Sequence, residues 1–399
     1  MPSTGVRRDL ALERNVVVMG LTSMVATFGN TLWYFFLPYY YVSEGATTTE
    51  IGIIYAAWLA VQALGSGPAG ALSDKVGRKN VTVLSSVISM IAVFILAFSN
   101  SLLISAVAFP LVGLGTAFFQ ASKTLLAESV EKERRGTAFG MYFTLEQGLA
   151  VISPFLGGYV VSKSGYFPLF FVGAVLTLSA ILPRYLLLQE TLHNSDETRH
   201  VDSSSSGFLS RLKTFAGNRY LLVLVFVYSL YNLFVDQNSY ITPLYALDAL
   251  HINIESAGVL FSAILGVIAL ARLPAGKLAD RIGRKKTVIV SWIGEISVVY
   301  IFVFAPVGSL SIALLGIIFW QFFGVMDAPA INAWVAETSD PANRGLSMGM
   351  FYSIAYLATV PALVLSGVLF GIEPRLPFYL NTILGVVALI LLARYLKNV

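Results

Sequence analysis

GALSDKVGRK occupies Gly70–Lys79, and a near copy, GKLADRIGRK, occupies Gly276–Lys285, 206 residues later. Each copy places an acid and several cations in a short polar loop between long apolar runs. A second pair of acids, Glu128 and Glu337, repeats at an offset of 209 residues, and each is followed seven residues later by an arginine. Two sets of residues in the same order at nearly equal offsets indicate that the whole chain is an internal duplication.

The composition is that of a membrane protein. Of 399 residues, 56% are hydrophobic and 12% are charged, about half the charged share of an ordinary soluble domain. Twelve apolar runs follow one another, and most have about the 20 residues that a helix needs to cross a bilayer core. They are Val16–Tyr41, Ile51–Leu72, Val81–Phe98, Leu102–Ala127, Gly136–Val161, Tyr166–Leu188, Tyr220–Leu247, Ala257–Leu278, Thr287–Phe304, Leu310–Val335, Leu346–Phe370 and Leu376–Leu396. The sequence therefore predicts an all-α membrane protein with twelve transmembrane helices in a lipid bilayer.

Lysine and arginine are unevenly distributed between alternate loops. The side that carries the amino terminus holds 22 of the 26 cations, and the opposite side holds only Lys163 and Arg375. Lys123 and Arg272 fall within predicted helices. Short loops rich in lysine and arginine stay in the cytoplasm, so we expect a multi-pass protein of the cell membrane with both termini cytoplasmic. The net charge of +4 is thus a signal of topology, and we expect no nucleic-acid partner.

The sequence contains no pattern of an enzyme, a metal site or a cofactor site. Cysteine is absent, and the histidines His193, His200 and His251 all fall in predicted loops. No HExxH motif occurs, and no GK[ST] follows the glycines of the doubled loop, which excludes a P-loop. We therefore expect no enzymatic activity, no metal and no cofactor.

One long polar interval, Gln189–Asn218, separates the sixth and seventh apolar runs. Its serine run, Ser203–Ser206, predicts a flexible cytoplasmic linker. Phe208–Phe215 has the spacing of a short helix on the membrane surface, although an unstructured tether fits equally well. We expect an amino-terminal six-helix bundle over 1–188, a linker over 189–218 and a carboxy-terminal six-helix bundle over 219–399.

The spacing within each copy of the doubled loop suits an ion pair. Asp74 and Arg78 stand four residues apart, so they can pair across one helical turn. Asp74 can also cap the start of a helix, and the glycines permit a tight turn. Cytoplasmic charge alone explains the cations but not the acids at fixed positions.

The pattern G-x-L-[SA]-D-[KR]-x-G-R-K, present in both halves of a twelve-span chain, resembles the signature loop of the major facilitator superfamily. The resemblance covers essentially the whole chain and implies two pseudo-symmetric six-helix bundles that transport a small molecule by alternating access. It also implies that the loop residues form a cytoplasmic gate, which stabilises one conformation over the other. The expected gate residues are Asp74, Arg78, Glu128, Arg135, Asp280, Arg284, Glu337 and Arg344.

Charged side chains within a membrane span are costly and are therefore functional candidates. By the resemblance, the first, fourth, seventh and tenth spans line a central cavity, which makes Asp236 and Asp327 candidates for proton coupling, with Glu146 of the fifth span as a third. Each can instead be a structural carboxylate bonded to a neighbouring helix, the interpretation we favour for Glu295 because the ninth span is a peripheral helix in this family. The candidates for the substrate cavity are Asn30, Trp33, Tyr34, Gln120, Lys123, Gln237, Asn238, Tyr240 and Asn332.

The substrate and the direction of transport stay open at this point. Ser153–Gly158, SPFLGG, resembles the glycine–proline pattern of the family's proton-coupled antiporters, but the fourth span lacks the arginine typical of drug–proton antiporters. Lys123 can either contact an anionic substrate or extend to the cytoplasmic surface. We expect a proton-coupled transporter of a small organic molecule that functions as a monomer. It is either an antiporter that exports amphipathic compounds or a symporter that imports a polar metabolite such as a sugar or a carboxylate.

Overall fold

The computed structural model describes residues 3–131, 134–192, 215–233, 239–339 and 344–396. Within these ranges the chain is helical and contains no strand. The α-helices are α1 (Ser3–Tyr34), α2 (Leu37–Ser43), α3 (Thr48–Val76), α4 (Arg78–Phe98), α5 (Leu102–Glu128), α6 (Arg135–Gly148), α7 (Ser153–Ser164), α8 (Tyr166–Leu187), α9 (Arg219–Asn232), α10 (Ile241–Leu244), α11 (Ile254–Ile282), α12 (Arg284–Val303), α13 (Leu310–Gly324), α14 (Asp327–Thr338), α15 (Arg344–Ile372) and α16 (Leu376–Tyr395). The expected all-α membrane fold is confirmed.

Several sequence predictions lie outside the described residues. They are the roles of Asp236, Gln237 and Asn238, the flexible serine run Ser203–Ser206, and the surface helix of Phe208–Phe215 up to residue 214. The side chains of Arg272 and Arg344 are also outside the described part of the chain.

Ten helical segments of the described chain are long and apolar enough to cross a membrane. The predicted fifth span, Gly136–Val161, is interrupted, because a 3-10 turn at Ala150–Ile152 separates α6 from α7. Pro154 lies in the first turn of α7, where proline is tolerated because the amide hydrogen that it lacks would have no partner within the helix. In the predicted seventh span, Tyr220–Leu247, α9 ends at Asn232 and π-helical turns occupy Tyr245–Ala249.

The described residues divide into two compact units. The first consists of residues 3–192 together with Asn253–Ser262 at the start of α11, and the second consists of 215–252 and 263–396. The division passes from the first unit to the second within the interval 189–218 that is predicted as a linker, and the boundaries of that linker stay a prediction.

In the first unit, α1 packs against α6 and α8, and α5 packs against α3 and α4. Two glycines of α5 allow this close approach. A Cβ atom at Gly113 would overlap the carbonyl oxygen of Trp58, and one at Gly115 would overlap the hydroxyl of Ser89. Small residues of this kind let helix backbones approach each other in membrane bundles.

In the second unit, α12 packs against α13, α14 and α16, and α9 packs against α15 and α16. A glycine again lies at a close contact between two helix backbones, since a Cβ atom at Gly316 of α13 would lie 2.5 Å from the backbone nitrogen of Phe302 on α12. Both units therefore place a small residue where the third and fourth helices of a six-helix bundle meet.

Candidate functional site

A polar cavity of about 200 Å³ lies inside the first unit, among α1, α4, α5, α6 and α8. Serine and threonine hydroxyls from four of these helices form much of its wall, and Phe119 adds an aromatic face. Three further side chains give the cavity its chemical character: Asn30 from α1, Glu146 from α6 and Arg184 from α8. The cavity is therefore a space inside a membrane bundle that carries an amide, an acid and a cation.

Arg184 is buried, with 2% of its surface exposed, and its partners are neutral. Its Nε donates to the hydroxyl of Thr22 at 3.0 Å, and its two terminal nitrogens donate to Ser86 at 2.7 Å and Ser23 at 3.0 Å. The guanidinium carbon lies 5.2 Å from the ring centroid of Phe119. None of the ion pairs among the described residues includes Arg184. The bundle thus holds a cation whose direct contacts carry no negative charge.

Arg184 is one of the 22 cations counted on the amino-terminal side, and its sequence context gives no sign that its side chain is buried. Arg184 stands three residues before the end of α8, so its position in the sequence resembles that of a flanking charge. Helical side chains are inclined toward the amino terminus of their helix, and a long side chain near the carboxyl end therefore extends back along the bundle. The guanidinium reaches Thr22 and Ser23, which lie well inside α1.

Glu146 is half-buried on α6 and belongs to the same polar group as Arg184. The hydroxyl of Tyr142, one turn earlier, donates to Glu146 Oε1 at 2.9 Å. The same hydroxyl lies 3.5 Å from the hydroxyl of Ser23, to which Arg184 donates. A continuous chain of polar groups therefore connects the acid to the cation.

The remaining cavity candidates of the first unit are in different environments. Asn30 lines the cavity, and its buried Oδ1 has no hydrogen-bond partner. Trp33 is almost fully buried and packs against aromatic rings of α5 and α8, whereas Tyr34 is half-buried. Gln120 and Lys123 are exposed on α5. The structure thus brings together Asn30 and Glu146, but not the whole predicted set.

Two acids are buried in the second unit. Glu295 on α12 is 6% exposed and Asp327 at the start of α14 is 8% exposed. The hydroxyl of Tyr231 and the indole nitrogen of Trp320, at 3.3 Å, donate to Glu295. The indole nitrogen of Trp292 donates to Asp327 Oδ2 at 3.0 Å. The rings of Tyr231 and Trp292 stack at 3.8 Å between centroids and 5° between planes, so an aromatic pair joins the two acids.

No cation is paired with either acid among the described residues. The bonds of Glu295 to neighbouring helices have the form expected of a structural carboxylate, and Gly324 of α13 leaves room for its carboxyl group, since a Cβ atom there would lie 3.4 Å away. Sequence reasoning found Asp327 from its depth in a span, but it missed the link to Glu295. The signal in the sequence that could have suggested a link between the two acids is the presence of Tyr231, Trp292 and Trp320 in predicted spans, since their side chains can donate hydrogen bonds to buried carboxylates.

The other cavity candidates described in the second unit do not contact this pair. Tyr240 is fully buried, and its hydroxyl donates to the carbonyl oxygen of Leu363 on α15. Asn332 is exposed on α14 and accepts a hydrogen bond from the hydroxyl of Tyr352 at 2.7 Å.

Each copy of the doubled loop forms an ion-pair set within its own unit. The first copy is built around Arg78, which lies 2.5 Å from Asp74 and 3.4 Å from Glu128. In the second copy Arg284 lies 2.5 Å from Asp280 and 3.2 Å from Glu337. The expected pairing at four residues is confirmed in both copies.

The turn in each copy requires its glycine, because Gly77 has a φ angle of 104° and Gly283 one of 89°. Asp74 does not cap the following helix, and that prediction was wrong. The carboxylate of Glu190 accepts from the backbone amides of Arg78 and Lys79, at 2.8 and 3.1 Å, and takes this place instead. Arg135, expected at the gate, donates to the carbonyl oxygen of Ala127 at 2.9 Å.

The family model of the Major Facilitator Superfamily matches residues 19–268 and 234–399. The chain belongs to the major facilitator superfamily. It is a multi-pass membrane protein of the secondary-transporter class, built from two pseudo-symmetric six-helix bundles. Members of this superfamily are transporters of small molecules rather than enzymes.

Curated relatives and solved structures cover nearly the full length. An MFS-type transporter of Methanocaldococcus jannaschii is 23% identical over 96% of this chain and 95% of its own. Multidrug resistance protein 1 of Bacillus subtilis is 25% identical over 84% of each chain. A crystal structure of a mutant of the nucleoside transporter NupG aligns with 96% of this chain and 100% of its own, at a TM-score of 0.78 and 16% identity, and this likeness concerns the fold alone.

Proposed function

We propose that this protein exports small amphipathic compounds in exchange for protons, and that Asp327 and Glu295 form its proton-binding element. The observation that carries the proposal is the pair of buried acids whose partners are neutral hydroxyl and indole groups. Burial away from water disfavours a charged carboxylate that lacks a countercharge. A proton is the smallest ligand that removes this cost, and its release restores the charge.

The arrangement also supplies a way to couple the two acids. Tyr231 donates to Glu295, and its ring stacks on Trp292, which donates to Asp327. A change of charge at one carboxylate therefore alters the packing of the side chain that donates to the other carboxylate. The resemblance to multidrug resistance protein 1 supports export of amphipathic compounds over uptake. We further propose that the ion-pair sets around Arg78 and Arg284 act at a cytoplasmic gate, with both termini on that side of the cell membrane and the monomer as the working unit.

The experiment that tests this proposal is proton-driven transport in reconstituted vesicles. A thermal-shift screen of the purified protein first selects a lipophilic substrate, since a ligand of the folded state raises the melting temperature. We expect wild-type protein to move that substrate against its gradient when protons flow the opposite way. The Asp327→Asn variant should lose uphill transport and keep part of its substrate exchange, because exchange needs no net proton movement.

The matched control is Glu131→Gln, which removes an exposed acid. It should transport as the wild type does. Wild-type accumulation by both Asp327→Asn and Glu295→Gln would show that neither acid carries the proton.

A second candidate function is the proton-coupled uptake of a polar metabolite such as a carboxylate or a sugar. The cavity at Arg184 favours it, since its wall is polar and its cation suits an anionic solute. The direction of the gradient separates the two functions. An inward proton gradient drives accumulation by a symporter and depletion by an antiporter in vesicles of the same orientation.

A further inference from the structure

We propose that the cavity at Arg184 is a binding site for a small organic carboxylate that carries a hydrogen-bond donor at its far end, and that it takes this anion together with a proton on Glu146. This proposal concerns binding within the first unit. It stands whether or not the acids of the second unit couple transport to protons.

The first argument is the charge of Arg184. A buried cation is costly unless a negative charge compensates it, and here three of the five N–H donors of the guanidinium are bonded to hydroxyls. A planar guanidinium is suited to a carboxylate, which it can bind through two parallel hydrogen bonds. The cavity beside it provides the volume for such a ligand, about 200 Å³.

The second argument is the unpartnered amide. Asn30 lines the same cavity, and its buried Oδ1 has no hydrogen-bond partner. A buried acceptor without a donor is destabilising, so the ligand is expected to supply one. Asn30 stands seven residues after Ser23 on the same face of α1, roughly 10 Å along the helix axis. The carboxylate and the donor should therefore lie at opposite ends of the ligand.

The third argument is the acid in the wall. The charged side chains in the cavity wall are Glu146 on α6 and Arg184 on α8. Two titratable groups outside the wall interact with Glu146: Tyr142 donates a hydrogen bond to it, and Lys123 on α5 interacts with it electrostatically. The cavity walls of α1 and α4 are formed by uncharged side chains. When Glu146 is ionised it compensates the cations and repels an anion. When it is protonated the cavity is positive, so anion binding and proton binding favour each other.

The probe is 4-hydroxybenzoate, a rigid acid with a hydroxyl group across its ring. Its binding to the purified full-length protein is measured by calorimetric titration at acidic and near-neutral pH. The two comparison ligands are 4-hydroxybenzamide, which lacks the charge, and benzoate, which lacks the donor. We expect the benzamide to bind about tenfold more weakly or not at all, since a hydrogen bond to a charged group is lost. Benzoate should bind more weakly than 4-hydroxybenzoate to the wild type, and equally with it to Asn30→Ala.

Two variants change the charge in opposite directions. Arg184→Gln should lose binding by about tenfold or more, and Arg184→Lys should keep part of it. Glu146→Gln should bind more tightly than the wild type at near-neutral pH and lose the dependence on pH. Lys286→Gln, which removes an exposed cation of the second unit, is the control and should match the wild type.

Glu146→Gln keeps the test decisive if Arg184→Gln does not fold. Equal affinity for the acid and its amide, weaker binding by Glu146→Gln, or no binding of 4-hydroxybenzoate to the wild type would each overturn the proposal.

Discussion

The two halves of this protein use equivalent positions for opposite chemistry. Glu295 follows Ser89 by 206 residues and Trp292 follows Ser86 by the same interval, which is the offset of the doubled loop. In the first half these positions carry hydroxyls, one of which accepts a hydrogen bond from the buried Arg184. In the second half they carry a buried acid and the indole that serves the other acid. The duplication preserved the helix packing while the polar groups diverged.

The difference shows how a bundle accommodates a buried charge. The first half surrounds its cation with small hydroxyl side chains and leaves a cavity beside it. The second half surrounds its acids with large aromatic donors that fill the space, since Trp292 and Trp320 are fully buried. A charge next to a cavity can exchange its partner for a solute, whereas a charge in a filled core can readily exchange only a proton. Under the two proposals above, the first half binds the solute together with a proton on Glu146, and the buried acids of the second half bind the protons that drive transport.

The largest expected effect comes from emptying the filled core. Trp292→Ala removes a buried indole, its stacking with Tyr231 and its hydrogen bond to Asp327, and should lower the free energy of unfolding by about 3–5 kcal/mol. Ser86→Ala, at the equivalent position, removes one hydrogen bond to Arg184 and should cost about 1–3 kcal/mol. Thermal unfolding in detergent measures both. Equal losses would contradict the distinction between a filled and an open half.

A smaller effect is expected from the paired glycines of α5 and α13. Gly324 follows Gly115 by 209 residues, the offset of the second pair of acids. A Cβ atom at Gly115 would overlap Ser89 and lie 3.2 Å from the Ser85 carbonyl oxygen, whereas one at Gly324 would be at an ordinary 3.4 Å from Glu295. Gly115→Ala should therefore destabilise the protein by about 1–3 kcal/mol, and Gly324→Ala should be nearly neutral.

Thermal unfolding of the two alanine variants measures this difference. The double variant Gly115→Ala, Ser89→Ala should recover part of the loss, because it removes the hydroxyl that the new Cβ would meet first. No recovery would place the strain in the backbone of α4 instead.

The tyrosines that serve the acids give the next comparison. Tyr231→Phe removes the hydroxyl that donates to the buried Glu295 and should cost about 1.5–3 kcal/mol, because a hydrogen bond to a charged or buried carboxyl group is lost. Tyr142→Phe removes the hydroxyl that donates to the half-buried Glu146. It should cost about 1 kcal/mol, since water can replace part of the lost hydrogen bond. Unfolding of each variant beside its double variant with the matching Glu→Gln change isolates the pair. A coupling energy between Tyr142 and Glu146 as large as that between Tyr231 and Glu295 would contradict the distinction between a half-buried acid in the first half and a buried acid in the second.

The sequence predicted the features that depend on periodicity and local spacing. The doubled loop revealed the duplication, and a separation of four residues was enough to predict the pair of Asp74 with Arg78. Asp327 was identified because an acid deep in an apolar run is unusual. These signals depend on neighbouring residues in the chain, so they can be recognised from the sequence alone.

The site around Arg184 was not predicted, for a physical reason. Arg184 lies near the end of α8, a position that in sequence is typical of a charge flanking a loop. Only the direction of its side chain shows that the guanidinium is buried. The partners of Glu295 were equally inaccessible, because Tyr231 is separated from it by 64 residues and meets it through helix packing. The same limit applies to Glu190, which reaches the doubled loop across 112 residues.

The smallest expected effect compares the two copies of the doubled loop. In the first copy Glu190 accepts from the first amides of α4, whereas in the second copy no side chain of the described residues accepts from the first amides of α12. An acid at the amino end of a helix satisfies free amides and interacts favourably with the helix dipole. Glu190→Ala should therefore destabilise the first unit by about 0.5–2 kcal/mol, a range typical of a lost helix cap.

The charge of Glu190 contributes only part of this effect, so Glu190→Gln should show a smaller loss, and the difference between the two variants should shrink as salt screens the exposed carboxylate. Hydrogen exchange at the backbone amides of Arg78 and Lys79 measures the change directly, with the amide of Lys285 in the second copy as the internal reference. Faster exchange at the first copy alone would establish that Glu190, in the chain after α8, stabilises the first loop and not its duplicate. Unchanged exchange in Glu190→Ala would mean that the ion pairs around Arg78 suffice to hold the turn.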